Sequence, residues 1–92
     1  MTHKIKLQQQ FCEAVYLGNK PYEIRFNDRD YKKGDKVVFI PVDDKAVTKV
    51  NHPVSECVYE ITCVTSGWGL KHGWVVLGIK KVNELRGDND EG

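Results

Sequence analysis

"GNKPYEIRFNDRDYKKGD", Gly18 to Asp35, sets nine charged side chains in eighteen residues around Tyr22, Ile24 and Phe26. A solvated loop accounts for the charges but not for their alternation with apolar residues. A strand that carries a polar site accounts for both. Successive side chains of a strand point to opposite faces. "YEIRF" therefore puts Tyr22, Ile24 and Phe26 on one side and Glu23 and Arg25 on the other. The expected arrangement packs the three apolar residues into the core and projects the two charged ones from the opposite face. Lys20 stands just before the strand, and "NDRDYKKGD" is a turn region closed by Gly34.

On either side of this stretch the pattern changes period. "HKIKL" alternates, with Ile5 and Leu7 opposite Lys4 and Lys6, as in a half-buried strand. Phe11, Ala14, Val15 and Gly18 then fall at helical spacing, and the helix ends at Gly18-Asn19. "KVVFIPV" is an apolar strand, bent or at an edge where Pro41 falls. Residues Asp43 to Pro53 are a polar loop. "VSECVYEITCVTS" is a long strand with Cys57, Tyr59, Ile61 and Cys63 on one face. "GWGLKHG" is a glycine-punctuated loop, and "WVVLGIKKV" a last apolar strand opening on a core Trp74. The order is strand, helix, strand, strand, long strand, strand. It describes a mixed α+β chain, mainly β. A small β-barrel of five or six strands with one or two helices satisfies both strand edges and core. An open α+β sheet is the competing architecture.

Length and charge narrow the function. A chain of 92 residues allows one domain, in which roughly 60–65% of the unfolded surface becomes buried. That domain is assigned to residues 1–82, and residues 83–92 to an acidic, disordered tail. Residues 1–36 carry eight Lys/Arg against five Asp/Glu, residues 37–82 five against four, and "NELRGDNDEG" one against four. The folded part is thus mildly basic, which suits a polyanion or nucleotide without the excess of a strongly basic nucleic-acid binder. No apolar run has the roughly 20 residues of a membrane span. The first ten residues have no apolar stretch behind their lysines, so a cytoplasmic location is expected. Cys12, Cys57 and Cys63 form no C-x-x-C pair and are expected as reduced, mostly buried thiols. His3, His52 and His72 lack ligand spacing, so no metal site is assigned. No phosphate-binding glycine motif or other cofactor signature occurs.

Lys20, Glu23 and Arg25 together suit a polar planar ligand such as a nucleobase. Arg offers a planar fork of donors, Glu acceptors, and Lys a contact to phosphate or carbonyl. The plainer alternative is a surface ion-pair network worth about 0–1 kcal/mol per exposed pair.

The pattern Gly18-x-Lys20-x-x-Glu23-x-Arg25 resembles the G-x-K-x-x-E-x-R signature of the ASCH domain family, a branch of the PUA-like β-barrels. "HKIKL" followed by "FCEAVYLGNK" is similar to that family's opening strand and helix. "EIRFNDRDYKKGDKVVF" and "GWGLKHGWVVLGI" resemble segments of a small bacterial and phage branch. The resemblance runs from about Thr2 to Val82. It implies a five- or six-stranded mixed barrel and a cleft between barrel and helix lined by the signature residues. It also implies RNA binding, proposed for the family generally, or hydrolysis of acylated cytidine, which some members perform.

For binding, Lys20, Arg25 and Arg29 are expected on phosphate or base edges, with Glu23 and Asn27 as further polar contacts. Trp68, flanked by Gly67 and Gly69, is expected near the surface as a stacking group, with Trp74, Tyr22 and Tyr31 as other aromatic candidates. For hydrolysis, Lys20 matches the catalytic lysine of the amidohydrolase branch, and Glu23 stands where that branch has threonine. Glu60 is the conceivable second glutamate. Binding without chemistry is the favoured expectation. A protein-interaction role is the third, and no groove or heptad signature names a partner for it.

Overall fold

The computed structural model describes residues 1–84. The elements follow the expected order: β1 (Thr2–Gln8), α1 (Gln9–Tyr16), β2 (Tyr22–Phe26), β3 (Lys36–Val42), β4 (Cys57–Ser66) and β5 (Trp74–Glu84). The five strands form one sheet in the order β1-β3-β4-β5-β2. β1 and β3 run parallel, while β3–β4, β4–β5 and β5–β2 are antiparallel. The expected mainly-β fold is therefore present, as a curled half-barrel with one α-helix. The assigned tail lies mostly outside the described residues. Asn83 and Glu84, placed in that tail, instead end β5 opposite Val58 and Cys57.

The sheet curls because each strand buries one face. His3, Ile5 and Leu7 of β1, Val37 and Phe39 of β3, Tyr59 and Ile61 of β4, and Val75, Leu77 and Ile79 of β5 line the concave side. Helix α1 contributes Cys12 and Val15 to this core. Phe11, expected on the helix's core face, is left partly exposed. The helix stops where Gly18 takes the left-handed backbone, at φ 83°, a conformation that glycine adopts without steric cost.

Several expected details differ. The long strand begins at Cys57, because Pro53–Glu56 forms a 3-10 turn capped by His52, whose Nδ1 accepts from the Val54 N–H. A register shift between Ile61 and Cys63 breaks the four-residue face expected of β4 and leaves Cys63 exposed, while Cys12 and Cys57 are buried and unpaired. Pro41 lies in a central strand, yet β3 pairs with β4 only at Lys36 and Val37. Pro41 is past that segment, and its carbonyl accepts from Val50. No helix among the described residues is long and apolar enough to cross a membrane.

The largest departure is in β2. Its expected faces are reversed: Glu23 is buried at 6% exposure, and Tyr22, Ile24 and Phe26 are exposed. Glu23 pairs with Leu77, a core residue of β5, while Phe26 pairs with Trp74 and Ile24 with Val76 on the outside. Trp74, expected in the core, therefore stands on the outer face with its ring 6.0 Å from that of Phe26.

Candidate functional site

Because β2 turns its charged side inward, Glu23 sits at the concave surface between two cations. Its Oε1 accepts from Lys20 Nζ at 3.2 Å and its Oε2 from Arg25 Nη1 at 3.2 Å. Arg25 Nη1 also donates to the Lys6 carbonyl at 2.9 Å. Lys20 Nζ donates to the Tyr22 carbonyl at 3.2 Å and stands 5.0 Å from the Phe11 ring centroid and 4.8 Å from that of Tyr22. Such placement over aromatic faces favours a cation. The helix end positions Lys20, since its N–H bonds back to the Ala14 carbonyl across the Gly18 turn.

The three charged heads therefore converge, with one more positive than negative charge. Glu23 and Arg25 line a cleft of about 330 Å³ between β1, β2 and the helix, with Lys6, Phe11, Ile24 and Val42, and Lys20 stands behind it through its contact with Glu23. A second hollow of about 280 Å³ has Lys20 in its wall, with Tyr16, Tyr59, Ile79 and Lys81. The cleft offers an apolar wall for a flat ring, a forked donor, a carboxylate and surplus positive charge for an anion.

The other expected site residues do not join this cluster. Arg29 donates to the Lys4 carbonyl at 2.8 Å, and Asn27 Oδ1 accepts from the Tyr31 N–H at 2.9 Å, so Asn27 shapes the turn after β2. Trp68 projects from the β4–β5 hairpin. Tyr31, one of the stacking candidates, is buried with its ring 4.7 Å from that of His3. Glu60 pairs across the sheet with Lys36 and Lys80, between buried Tyr59 and Ile61. It therefore points to the outer face, opposite Glu23.

Sequence reasoning missed Phe11 and Lys6 as cleft walls, because Phe11 lies i,i+4 from buried Val15 and helical spacing alone does not tell it from a core residue. It also passed over His3, which is buried with its Nε2 2.8 Å from Asp35 Oδ2. Burial above all, with the charges of Asp44 and Glu23, pushes the Cys12 thiol up. It stays protonated and is a poor nucleophile.

The fold and the site define a small half-barrel domain with an inward charged cluster beside a helix end. The chain belongs to the family described as a domain of unknown function, DUF3850, whose model matches residues 2–79. It is similar in fold to the crystal structure of the hypothetical protein PH0355, with 17% identity and a TM-score of 0.59 over 89% of this chain and 100% of that one. No curated protein matches the chain.

Proposed function

We propose that this domain binds RNA or a nucleotide in the cleft beside Lys20, Glu23 and Arg25. The observation that carries the proposal is the inward turn of β2, which keeps a charged trio sheltered and leaves three apolar side chains outside. Sheltering charges costs desolvation, whereas an all-apolar concave face would add to the core. A ligand that uses the trio gives that cost a return. The likeness of Gly18-x-Lys20-x-x-Glu23-x-Arg25 to the ASCH signature supports the same function, as does the mildly basic folded part. A base would lie against Phe11 with Arg25 and Glu23 at its edge, and its phosphate would face Lys20 or Lys6. A cytoplasmic location goes with this role, since three unpaired cysteines suit a reducing compartment.

Hydrolysis of acetylated cytidine has less support. Glu23 replaces the threonine of that activity, and Glu60 projects from the opposite face.

The test is a titration of labelled single-stranded and hairpin RNA at two salt concentrations. Lys20→Ala and Arg25→Ala are each expected to weaken binding about tenfold or more, the size of a lost charge-assisted hydrogen bond. The wild-type affinity should fall as salt rises. Absence of saturable binding at low salt, or affinity untouched by both substitutions together, would remove the proposal. Deacetylation of acetylated cytidine that disappears in Lys20→Ala would replace it with the enzymatic alternative.

A further inference from the structure

We propose that the outer face of β2 and the adjoining β4–β5 hairpin form a stacking platform for single-stranded nucleic acid, continuous with the cleft. The platform extends the nucleotide-binding role proposed for the cleft and rests on it. Tyr22, Ile24, Phe26 and Trp74 share this face and are all partly exposed, Phe26 at 52%. A shallow groove of about 310 Å³ runs beside them, lined by Ile24, Gly69, Leu70, Lys71 and Trp74. Ile24 also lines the cleft. A bound chain can therefore pass from one to the other over β2.

Trp68 is the sharpest sign of a partner. It is 94% exposed, and its backbone is held at φ 55° between Gly67 and Gly69. Left-handed backbone strains a bulky residue, and a fully exposed indole gains nothing from packing in return. Such strain at an exposed position points to a functional contact.

Charge decides which partner. Lys4 and Lys6 are exposed on the outer side of β1, whose carbonyls the Arg25 and Arg29 guanidiniums reach from the β2 side, and Lys71 lies in the groove. Of the nearby acids, Glu23 is held by Lys20 and Arg25, and Asp30 by Lys32. Asp28 lies beyond Phe26, where the chain leaves the strand. Rings interleaved with cations match the bases and phosphates of one strand, and a single strand is required because paired bases hide their faces. A second copy of the chain would bring the same lysines against these.

The experiment titrates fluorescein-labelled oligo(U) and the mononucleotide UMP against wild type, Trp68→Asn, the double variant Lys4→Ser/Lys71→Ser, and Lys20→Ala. Asparagine tolerates the left-handed backbone, so Trp68→Asn should fold at least as stably as wild type, as melting curves will show. Trp68→Asn is expected to weaken oligo(U) binding about tenfold, the loss of one stacked base. The lysine double variant should weaken it and flatten its salt dependence. Both losses should be confined to the oligonucleotide, while Lys20→Ala weakens oligo(U) and UMP alike. Oligo(U) affinity unchanged in both Trp68→Asn and the lysine variant overturns the platform, even where Lys20→Ala still abolishes UMP binding and upholds the cleft. The converse, loss in Trp68→Asn with Lys20→Ala inert, overturns the cleft and leaves the platform standing. No oligo(U) binding by wild type, or a concentration-dependent dimer that Trp68→Asn dissolves, also overturns the platform.

Discussion

Glu23 is the residue on which the site turns. One carboxylate accepts from two cations on separate oxygens, so replacing it by a neutral amide leaves one cation on an acceptor oxygen and the other facing an NH2 donor. Glu23→Gln is expected to cost about 1–3 kcal/mol, measured by urea denaturation. A double-mutant cycle with Arg25→Ala should show coupling, because the pair is in contact. A second polar pair acts through pH. The hydrogen bond to His3 is the main reason the Asp35 carboxyl is held below its ordinary 3.8; the Lys32 N–H and the amino terminus act the same way, and partial burial opposes them. The folded-state value being depressed, this stabilisation is present above the unfolded value and disappears as pH falls through the folded one. Asp35→Asn should therefore lower the urea midpoint at about pH 7, and its difference from wild type should shrink by about pH 3. His3 was legible as a strand residue, but its partner is 32 positions away and no spacing rule connects them.

At the scale of elements, local pattern carried far. The alternation of β1, the glycine stop of α1 and the glycine-rich β4–β5 loop were all readable, because each depends on backbone geometry within a few residues. What failed were features set by a neighbouring strand. The β4 register shift that exposes Cys63 occurs opposite Gly78, where an added Cβ would lie 2.6 Å from Thr62 Oγ1 and 2.9 Å from Cys63 Sγ. Gly73, at φ 89°, shows a similar dependence, since a Cβ there would lie 2.6 Å from the Phe26 ring. Gly73→Ala is expected to lose about 1–2 kcal/mol from the left-handed backbone alone, plus the displacement of Phe26. Thermal melts should show a smaller loss when the same change is made in a Phe26→Ala background.

For the molecule as a whole, the question is how a five-stranded sheet with two free edges stays curled. β1 and β2 lie at opposite ends of the strand order, yet Arg25 and Arg29 donate to the carbonyls of Lys6 and Lys4. Side chains thus bridge the gap that backbone pairing closes in a complete barrel. The same bridge shapes the cleft, so Arg25 belongs to both fold and site. Arg29→Ala removes one of the two hydrogen bonds of the bridge without touching the Glu23 cluster. Its expected cost is about 1 kcal/mol, with faster amide exchange in β1 and β2 and unchanged exchange at the centre of β4. Protection that stays uniform would show that the edges hold without it.

Alternation along "YEIRF" establishes which side chains travel together: Glu23 with Arg25, and Tyr22 with Ile24 and Phe26. It says nothing about which group looks inward, because a period of two reads the same from either face. Hydrophobicity argued for the apolar group, and the fold chose the charged one. That choice is made by β5, which sets Glu23 beside Leu77, and by contacts to β1 over separations of 19 and 25 residues. Interactions at that range arise only once the sheet has curled, so no local pattern could have carried them.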